Sequence, residues 1–205
     1  YGTSIQQGGC ASRTGMVPSA MIQRDFNLEC VNLATSGQAR MDFYIAEAMA
    51  SIEDAICYVI DPVPNCTKDR CDTATYDFIN ILRTLRPEVP IVMVEGLMYP
   101  YTRHDSYHAE YLPQKNECFR RGFDQHVAEN PKGMYYMTHE GQTGPDMEGT
   151  VDGVHLTDYG FRAYADLLEI VVKEALDDTD VDYDVEPAYN VVRKKTFWQR
   201  LMDLF

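Results

Sequence analysis

Short apolar runs alternate along this chain with segments whose apolar residues recur at helical spacing. Residues 55–60 read Ala-Ile-Cys-Tyr-Val-Ile, the continuous apolar run that is typical of a strand buried on both faces. Similar short runs at residues 31–34, 91–94 and 134–137 predict three more strands. Because strands that alternate with helices form βαβ units, the pattern predicts a parallel sheet.

Apolar residues at intervals of three and four fill the segments between these strands and predict helices with one buried face. The first two sets are Met41, Ile45, Met49 and Ile52, and Phe78, Ile81, Leu82 and Leu85. Residues 107–128 carry a weaker helical pattern. A last helix is predicted after Thr157, a good N-cap residue. Its inward face consists of Phe161, Tyr164, Ala165, Leu168 and Val172.

The chain opens on a turn of the kind that normally follows a first buried strand. We therefore expect most of that strand, and with it an upstream domain or leader, to precede Tyr1. With this strand counted, we predict an α/β fold, a flavodoxin-like three-layer α/β/α sandwich with a five-stranded parallel sheet whose first strand is largely truncated. One domain is predicted over residues 1–176.

Acidic residues dominate the segment that follows, residues 177–186. Their alternation resembles a calcium-binding loop, but counting from Asp178 places Tyr183 and Tyr189 where an EF-hand needs glycine and glutamate. A solvated linker is therefore predicted. Basic and aromatic residues in 191–205 predict a short amphipathic helix that packs on the body or on a further domain. Residues 177–205 are thus an acidic linker and an amphipathic tail.

The net charge of the chain argues against two classes of binding partner. The 205 residues carry a formal net charge of −14, and both nucleic acids and anionic membranes require a basic surface on the protein that binds them. No apolar run is long enough to cross a bilayer, and no signal peptide is present. We expect neither a nucleic-acid partner nor a membrane partner.

Cysteine and histidine spacing gives little support for a metal. A chain of this length does not need a disulfide scaffold. Cys57 lies in an apolar run and is predicted to be a buried thiol, whereas Cys66 and Cys71 flank a short loop that suits either a local bridge or two free thiols. No C-x-x-C pair is present. His104 and His108 are four residues apart, but they lack the H-E-x-x-H motif of zinc enzymes.

The residues that suggest chemistry stand near opposite ends of the chain. Ser4 is close to its start, while Asp152 and His155 are three residues apart near its end. A serine hydroxyl is a poor nucleophile until a base takes its proton, and the base needs an acid to orient it. All three are predicted beyond the carboxyl ends of strands, where open parallel sheets bind ligands. This pattern predicts a serine hydrolase.

Further polar groups are predicted at the same edge of the sheet. Ser36 and Gly37 follow the second predicted strand, and Asn65 follows the third. Acyl transfer passes through an oxyanion that needs preorganised hydrogen-bond donors. The candidates are the backbone N–H groups of Ser4 and Gly37 and the side-chain amide of Asn65.

Four blocks of the sequence, in this order, resemble those of the SGNH hydrolases, also called GDSL esterases. The blocks are Gly2-Thr3-Ser4, Asn32-Leu33-Ala34-Thr35-Ser36-Gly37, Pro64-Asn65 and Asp152-Gly153-Val154-His155. The stretches 2–13 and 149–155 look like those of a bacterial carbohydrate-associated branch, in which an N-terminal β-sandwich domain often precedes the hydrolase domain. The resemblance extends from Tyr1 to about residue 176.

The resemblance implies that Ser4 is the nucleophile, that Asp152 and His155 complete the catalytic triad, and that Gly37 and Asn65 complete the oxyanion hole with the Ser4 N–H. It also implies an exported bacterial protein, periplasmic or extracellular.

Three positions depart from the family pattern. Thr3 replaces the aspartate of the family name, Leu156 replaces the proline that commonly follows the histidine, and Ala34 stands where this branch often has glycine. None of these changes removes a catalytic group.

Each candidate residue also has a purely structural explanation. Taken alone, Ser4 or His155 could cap a helix, and Asn65 could be an ordinary turn residue. Their joint placement favours catalysis. His126 and His139 are interpreted as surface or loop residues.

We therefore predict a serine esterase that hydrolyses small acyl esters, acetyl above all, on a carbohydrate or similar alcohol, with neither metal nor organic cofactor. A segment after the fourth predicted strand contains Tyr99, Tyr101, Tyr107 and Tyr111, which suit either stacking on a sugar or packing beneath a lid. The alternatives are a thioesterase or lysophospholipase with the same triad, and a non-catalytic module that binds a glycan or a partner.

Overall fold

The computed structural model of the protein describes residues 1–179, which contain three parallel strands. They are β1 (Tyr58–Ile60), β2 (Ile91–Val94) and β3 (Met134–Met137), in the spatial order β1-β2-β3. The bounds of β2 and β3 agree with the predicted runs, whereas β1 is the second half of the run at 55–60. The acidic linker and amphipathic tail lie, from residue 180 onward, outside the described residues.

Six α-helices in the described residues surround the sheet. They are α1 (Ser4–Gln7), α2 (Pro18–Phe26), α3 (Phe43–Ala50), α4 (Lys68–Leu85), α5 (Ser106–Glu129) and α6 (Asp158–Asp177). Short 3-10 turns occur at Thr14–Met16, Val63–Asn65 and Pro100–Arg103. The predicted cap of the last helix is confirmed, because the Thr157 hydroxyl oxygen accepts a hydrogen bond of 3.1 Å from the N–H of Gly160.

The central strand supplies side chains to two separate cores. Val92 and Val94 of β2 pack with α2 and α6, and the alternate residues Ile91 and Met93 pack with α3, α4 and α5. All four side chains are fully buried. Helices therefore cover both faces of the parallel sheet, which confirms the predicted three-layer α/β/α sandwich.

The sheet is smaller at its β1 edge than the predicted five strands. Gly2 forms an isolated parallel bridge with Asp61, and the Gly2 carbonyl accepts a hydrogen bond of 2.9 Å from the N–H of Thr35. Residues 1–2 thus lie between β1 and the segment 31–34. That segment runs without strand structure, although its apolar pattern predicts a strand. Within residues 1–179, three of the five expected strands form.

An apolar groove of about 460 Å³ lies along this edge, between β1 and residues 28–33. Leu28, Val31 and Leu33 line one wall, Ile56 and Val59 line the other, and α6 lies at its base through Leu168. Val31 and Leu33 are 55% and 37% exposed because the groove that they line is open.

Candidate active site

Ser4 is the first residue of α1, a helix of one turn. The helix begins there because Thr3 is its N-cap, and the Thr3 side-chain oxygen accepts a hydrogen bond of 3.3 Å from the N–H of Ile5. It ends at Gly8, whose φ of 97° is in the left-handed region that glycine tolerates. Ile5 is buried in the core and holds the turn against the sheet. The hydroxyl of Thr3 thus serves the turn that lacks the family's aspartate.

The structure brings Ser4, His155 and Asp152 together, although they come from opposite ends of the chain. The Nε2 atom of His155 lies 2.9 Å from Ser4 Oγ, and its Nδ1 atom lies 2.7 Å from Asp152 Oδ2. An ionised carboxylate can only accept hydrogen bonds, so Nδ1 carries the ring proton and Nε2 is left to accept from the Ser4 hydroxyl. In this tautomer the imidazole is ready to take a proton from Ser4.

The Asp152 carboxylate also shapes the loop that carries the histidine. Its Oδ1 atom accepts from the backbone N–H groups of Val154 and His155, at 2.9 and 2.7 Å. The hydrogen bond with the His155 side chain, followed by these two backbone bonds, holds the pKa of Asp152 well below its usual range. The carboxylate is therefore ionised throughout the neutral pH range.

The same loop is closed by backbone contacts and by a buried anchor. The N–H of Val151 donates to the His155 carbonyl at 2.8 Å, and Thr150 and Leu156 form an antiparallel bridge. Leu156 is fully buried in the core shared with α6. The leucine that replaces the family's proline therefore fixes the loop by burial rather than by a restricted φ.

A second contact joins the segment that follows α1 to the start of α6. The backbone N–H and the hydroxyl of Ser12 donate to the two oxygens of Asp158, at 3.0 and 2.5 Å. On the same side, a Cβ atom on Gly9 would lie 3.1 Å from Cδ2 of His155, so the backbone of Gly9 packs closely against the imidazole. These contacts hold Ser4 and His155 in register, and sequence analysis did not identify Ser12 or Asp158.

Of the two remaining oxyanion-hole candidates, Gly37 lies in a turn that is tied to α1, and Asn65 is tied to the segment that follows this turn. The N–H of Ser36 donates to Gln7 Oε1 at 2.9 Å, which ties the turn containing Gly37 to α1. Gly37 has a φ of 70°, and the Nε atom of Arg40 donates to its carbonyl at 3.2 Å. The Asn65 side-chain oxygen accepts from the N–H of Ala39 at 3.3 Å, which leaves the amide N–H₂ of Asn65 to face elsewhere.

A buried polar network beneath α1 was not predicted from the sequence. The Nε2 atom of Gln6 donates to Asp61 Oδ2 at 2.9 Å and to the Tyr164 hydroxyl oxygen at 2.7 Å, and the Tyr164 hydroxyl donates to Asp61 Oδ2 at 2.9 Å. The three side chains come from α1, from the end of β1 and from α6. The network therefore connects the helix that carries Ser4 to the helix that follows His155. Its one signal in the sequence is an aspartate directly after an apolar strand.

We expect Asp61→Asn to change the pH dependence of stability. Burial raises the pKa of Asp61 from 3.8 to about 6, so between these values the folded protein binds more protons than the unfolded protein. The free energy of unfolding of the wild type therefore falls as pH rises through this window, by up to about 3 kcal/mol. The amide variant should lack this decline. Urea unfolding at pH 4 and pH 7.5 measures the difference, with the exposed Asp54→Asn as control; parallel pH profiles for Asp61→Asn and wild type would contradict the expectation.

Of the two histidines interpreted from the sequence as surface or loop residues, one assignment is wrong. His126 is 3% exposed rather than on the surface, and burial lowers its pKa. His139 lies in the loop after β3, as predicted; its Nδ1 atom is 2.6 Å from Glu95 Oε2, and this hydrogen bond raises its pKa. His126 lies in α5, whose weak periodicity could not show which side faces the core.

The cysteines that flank the short loop are free thiols. Cys66 and Cys71 are both buried, and their side chains contact each other. The hydrogen bond between the two thiols is the main cause that lowers the pKa of Cys66 and raises that of Cys71. Cys57, predicted to be a buried thiol, is half-buried and lines the apolar groove, and its surroundings raise its pKa to about 12 by desolvation.

Within residues 1–179, two groups of side chains have ligand atoms close enough to share a cation. One group is Cys10 with Asp152 and His155, and the other is Glu95 with His139 and Glu140. A cation in the first group would compete with the hydrogen bonds between Ser4, His155 and Asp152. His104 precedes α5 and His108 lies in its first turn, so their spacing does not put them on one helix face. No helix among the described residues is long and apolar enough to cross a membrane.

Comparison with known protein families gives one match, which covers most of the described residues. The profile of the GDSL-like lipase/acylhydrolase family matches residues 1–173. No match is found among curated proteins.

Solved structures with the same architecture include three that are informative. A protein of Bacteroides ovatus described as a GDSL-like lipase has a TM-score of 0.82 and 31% identity, with 86% of this chain and 52% of that chain covered. A salicylyl-acyltransferase from a tetracycline biosynthetic pathway has a TM-score of 0.68 and 16% identity, with 85% and 53% covered. A family two carbohydrate esterase from Clostridium thermocellum, in complex with cellohexaose, has a TM-score of 0.64 and 16% identity, with 87% and 63% covered. The last two show a likeness of fold alone, and the chain spans about half the length of the first two.

Proposed function

The chain belongs to the GDSL-like lipase/acylhydrolase family, and from this premise we propose that it is a serine esterase that hydrolyses small acyl esters, acetyl esters in particular, on carbohydrate alcohols. The observation that carries the proposal is the hydrogen bond of 2.9 Å between Ser4 Oγ and His155 Nε2, with Asp152 Oδ2 at 2.7 Å from the other ring nitrogen. Hydroxyl, imidazole and carboxylate in this order are the groups that acyl transfer requires.

Acylation begins at Ser4. Its Oγ attacks the ester carbonyl carbon while His155 Nε2 takes the hydroxyl proton, and Asp152 stabilises the imidazolium that forms. The tetrahedral intermediate collapses when the bond between the carbonyl carbon and the alcohol oxygen breaks. The proton on Nε2 passes to that oxygen, and the alcohol leaves an acyl group on Ser4.

Donors near α1 stabilise the charge that develops on the carbonyl oxygen. We assign this role to the backbone N–H groups of Ser4 and Gly37 and to the side-chain amide of Asn65. The hydrogen bond from Ser36 ties the turn of Gly37 to α1, and the hydrogen bond from Ala39 ties Asn65 to the segment after Gly37. Each donor of this kind typically contributes about 3 kcal/mol to transition-state stabilisation.

Deacylation repeats the same steps with water. His155 Nε2 takes a proton from a water molecule as its oxygen attacks the acyl carbon, and the second tetrahedral intermediate expels Ser4 Oγ. The proton on Nε2 returns to Ser4, and a carboxylic acid is released. These steps need the side chains of this protein and water, and they call for no metal or organic cofactor.

The location of the triad supports a bulky alcohol and a small acyl group. The side chains of His155 and Asp152 are 29% and 49% exposed, so the reacting hydroxyl lies at the surface of the domain. A surface site can accept an ester on a large sugar chain, whereas a long acyl chain needs a deep apolar channel to leave water. The carbohydrate esterase among the structures of similar fold is consistent with this choice.

An active-site label and an acyl-chain series test the proposal. A fluorophosphonate should modify Ser4 and abolish hydrolysis, with the site identified by peptide mass spectrometry. Among p-nitrophenyl esters from acetate to decanoate, kcat/KM should be highest for the acetate. A protein that leaves Ser4 unlabelled would instead fit a non-catalytic binding module, and a preference for decanoate would favour the thioesterase or lysophospholipase alternative.

A further inference from the structure

Five aromatic side chains form a continuous ridge beside the triad. We call Tyr99, Tyr101, Tyr107, His108 and Tyr111 the aromatic ridge. Tyr99 and Tyr101 are stacked with ring centroids 5.4 Å apart, and Tyr107 and Tyr111 are stacked at the same separation. His108 joins the two pairs edge-on, at 5.4 Å from Tyr101 and 5.1 Å from Tyr107. The ridge comes from the connection between β2 and α5 and from the first two turns of α5.

One end of the ridge touches the loop that carries the triad. Gly153 has a φ of 87°, and a Cβ atom there would lie 3.0 Å from Cδ1 of Tyr101. The backbone between Asp152 and His155 therefore packs directly on the Tyr101 ring.

The other end of the ridge reaches the oxyanion-hole side. The Tyr111 hydroxyl oxygen accepts a hydrogen bond of 3.3 Å from the N–H of Lys68, three residues after Asn65. The ridge thus runs along one wall of the site, from the histidine loop to the start of α4.

One end of the aromatic ridge is buried, and the other is exposed to solvent. Tyr99 is 7% exposed, whereas Tyr107 is 65% exposed although it is stacked on Tyr111. Asp105 fixes the imidazole of His108, which lies between Tyr101 and Tyr107. The Asp105 carboxylate accepts from the backbone N–H of His108 at 3.1 Å, and it lies 2.6 Å from Nδ1 of the His108 ring. A rigid, flat and solvent-facing ring is thereby held in place before any ligand arrives.

Resting on the proposed esterase function, we infer that the stacked pair Tyr107–Tyr111 is a specificity subsite that binds a sugar ring of the alcohol next to the esterified unit. Aromatic faces bind the C–H face of a pyranose because both are flat and largely apolar, while the sugar hydroxyls at the rim stay hydrated. A neutral sugar also suits a protein whose net charge is −14. Two ring contacts of just over 5 Å separate Tyr107 from Tyr101, so Tyr107 is placed for a neighbouring sugar unit rather than for the ester itself.

Tyr107→Ala tests the subsite, with Tyr44→Ala as a matched control because both tyrosines are 65% exposed. The substrates are p-nitrophenyl acetate, which has no sugar, and partially acetylated cellotetraose. For Tyr107→Ala, the loss in kcat/KM on the tetrasaccharide should exceed the loss on p-nitrophenyl acetate by about tenfold, mainly through KM. Tyr107→Phe keeps the ring and should retain most of the oligosaccharide activity, while Tyr44→Ala should match the wild type on both substrates.

Three results would overturn the subsite. They are equal losses on the two substrates, an unchanged kcat/KM on the tetrasaccharide, and a Tyr107→Phe variant as impaired as Tyr107→Ala. Failure of the esterase proposal has a different signature, which is a wild type that hydrolyses neither substrate. In that case, calorimetric titration of the Ser4→Ala protein with unacetylated cellotetraose still decides the subsite, because adding Tyr107→Ala should weaken binding about tenfold. Equal binding with and without Tyr107→Ala would refute it.

Discussion

Replacing Ser4 with alanine should lower kcat for p-nitrophenyl acetate by at least about 10⁴-fold. The variant lacks the oxygen that forms the acyl bond, while the imidazole and carboxylate that serve it remain. The domain should stay folded, because the cap of α1 is the hydroxyl of Thr3 and not that of Ser4. KM should change little, since Ser4 Oγ becomes bonded to the substrate after binding.

A matched control separates this effect from the general consequence of losing a hydroxyl. Ser51 also carries a hydrogen-bonded hydroxyl, which donates to the Ala48 carbonyl at the end of α3, away from the triad. Ser51→Ala should retain wild-type kcat. A Ser4→Ala protein with more than a few per cent of wild-type activity, after contaminating esterases are excluded, would show that Ser4 is not the nucleophile.

Asp152→Asn should reduce kcat by about 10⁴-fold without unfolding the loop. The amide oxygen can still accept from the N–H groups of Val154 and His155, as Asp152 Oδ1 does. The amide N–H₂ then faces His155 Nδ1 and favours the tautomer that carries its proton on Nε2. That tautomer cannot accept the proton of Ser4.

Two further variants make the Asp152 result specific. The Oδ1 atom of Asp146 accepts from the N–H of Glu148 at 3.0 Å and from the hydroxyl of Tyr159 in α6 at 3.3 Å, so Asp146→Asn makes the same chemical change in another turn. It should leave kcat near the wild-type value. Asp152→Ala removes the loop bonds as well, and its midpoint of thermal unfolding should be lower than that of Asp152→Asn. Equal activity of Asp152→Asn and wild type would remove the carboxylate from the mechanism.

The structural features that the sequence predicts best are those that depend on local patterns of apolar and polar residues. Continuous apolar runs gave the bounds of β2 and β3 correctly because both strands are covered by helices. The N-cap at Thr157 could be predicted because its hydroxyl is followed within a few residues by the start of an apolar helix face. At residues 31–34 the apolar pattern predicts a strand that the structure does not have, because strand structure requires a paired neighbour and not apolar residues alone.

The triad illustrates what a sequence can and cannot provide. Ser4, Asp152 and His155 could be named from residue type and spacing, but their 2.9 and 2.7 Å contacts depend on the folded positions of α1 and α6. The supporting contacts are less visible still. Ser12 meets Asp158 across 146 positions, and Gln6 meets Tyr164 across 158, and neither pair carries a local pattern.

The separation of 151 positions between Ser4 and His155 has a kinetic consequence. Contacts between distant parts of a chain form late because closing a long loop costs entropy before the contact stabilises anything. During refolding from urea, helical signal should therefore return before hydrolysis does. Hydrolysis of a chromogenic ester would then report only fully folded protein. A partly folded population would show helical circular dichroism but no hydrolytic activity.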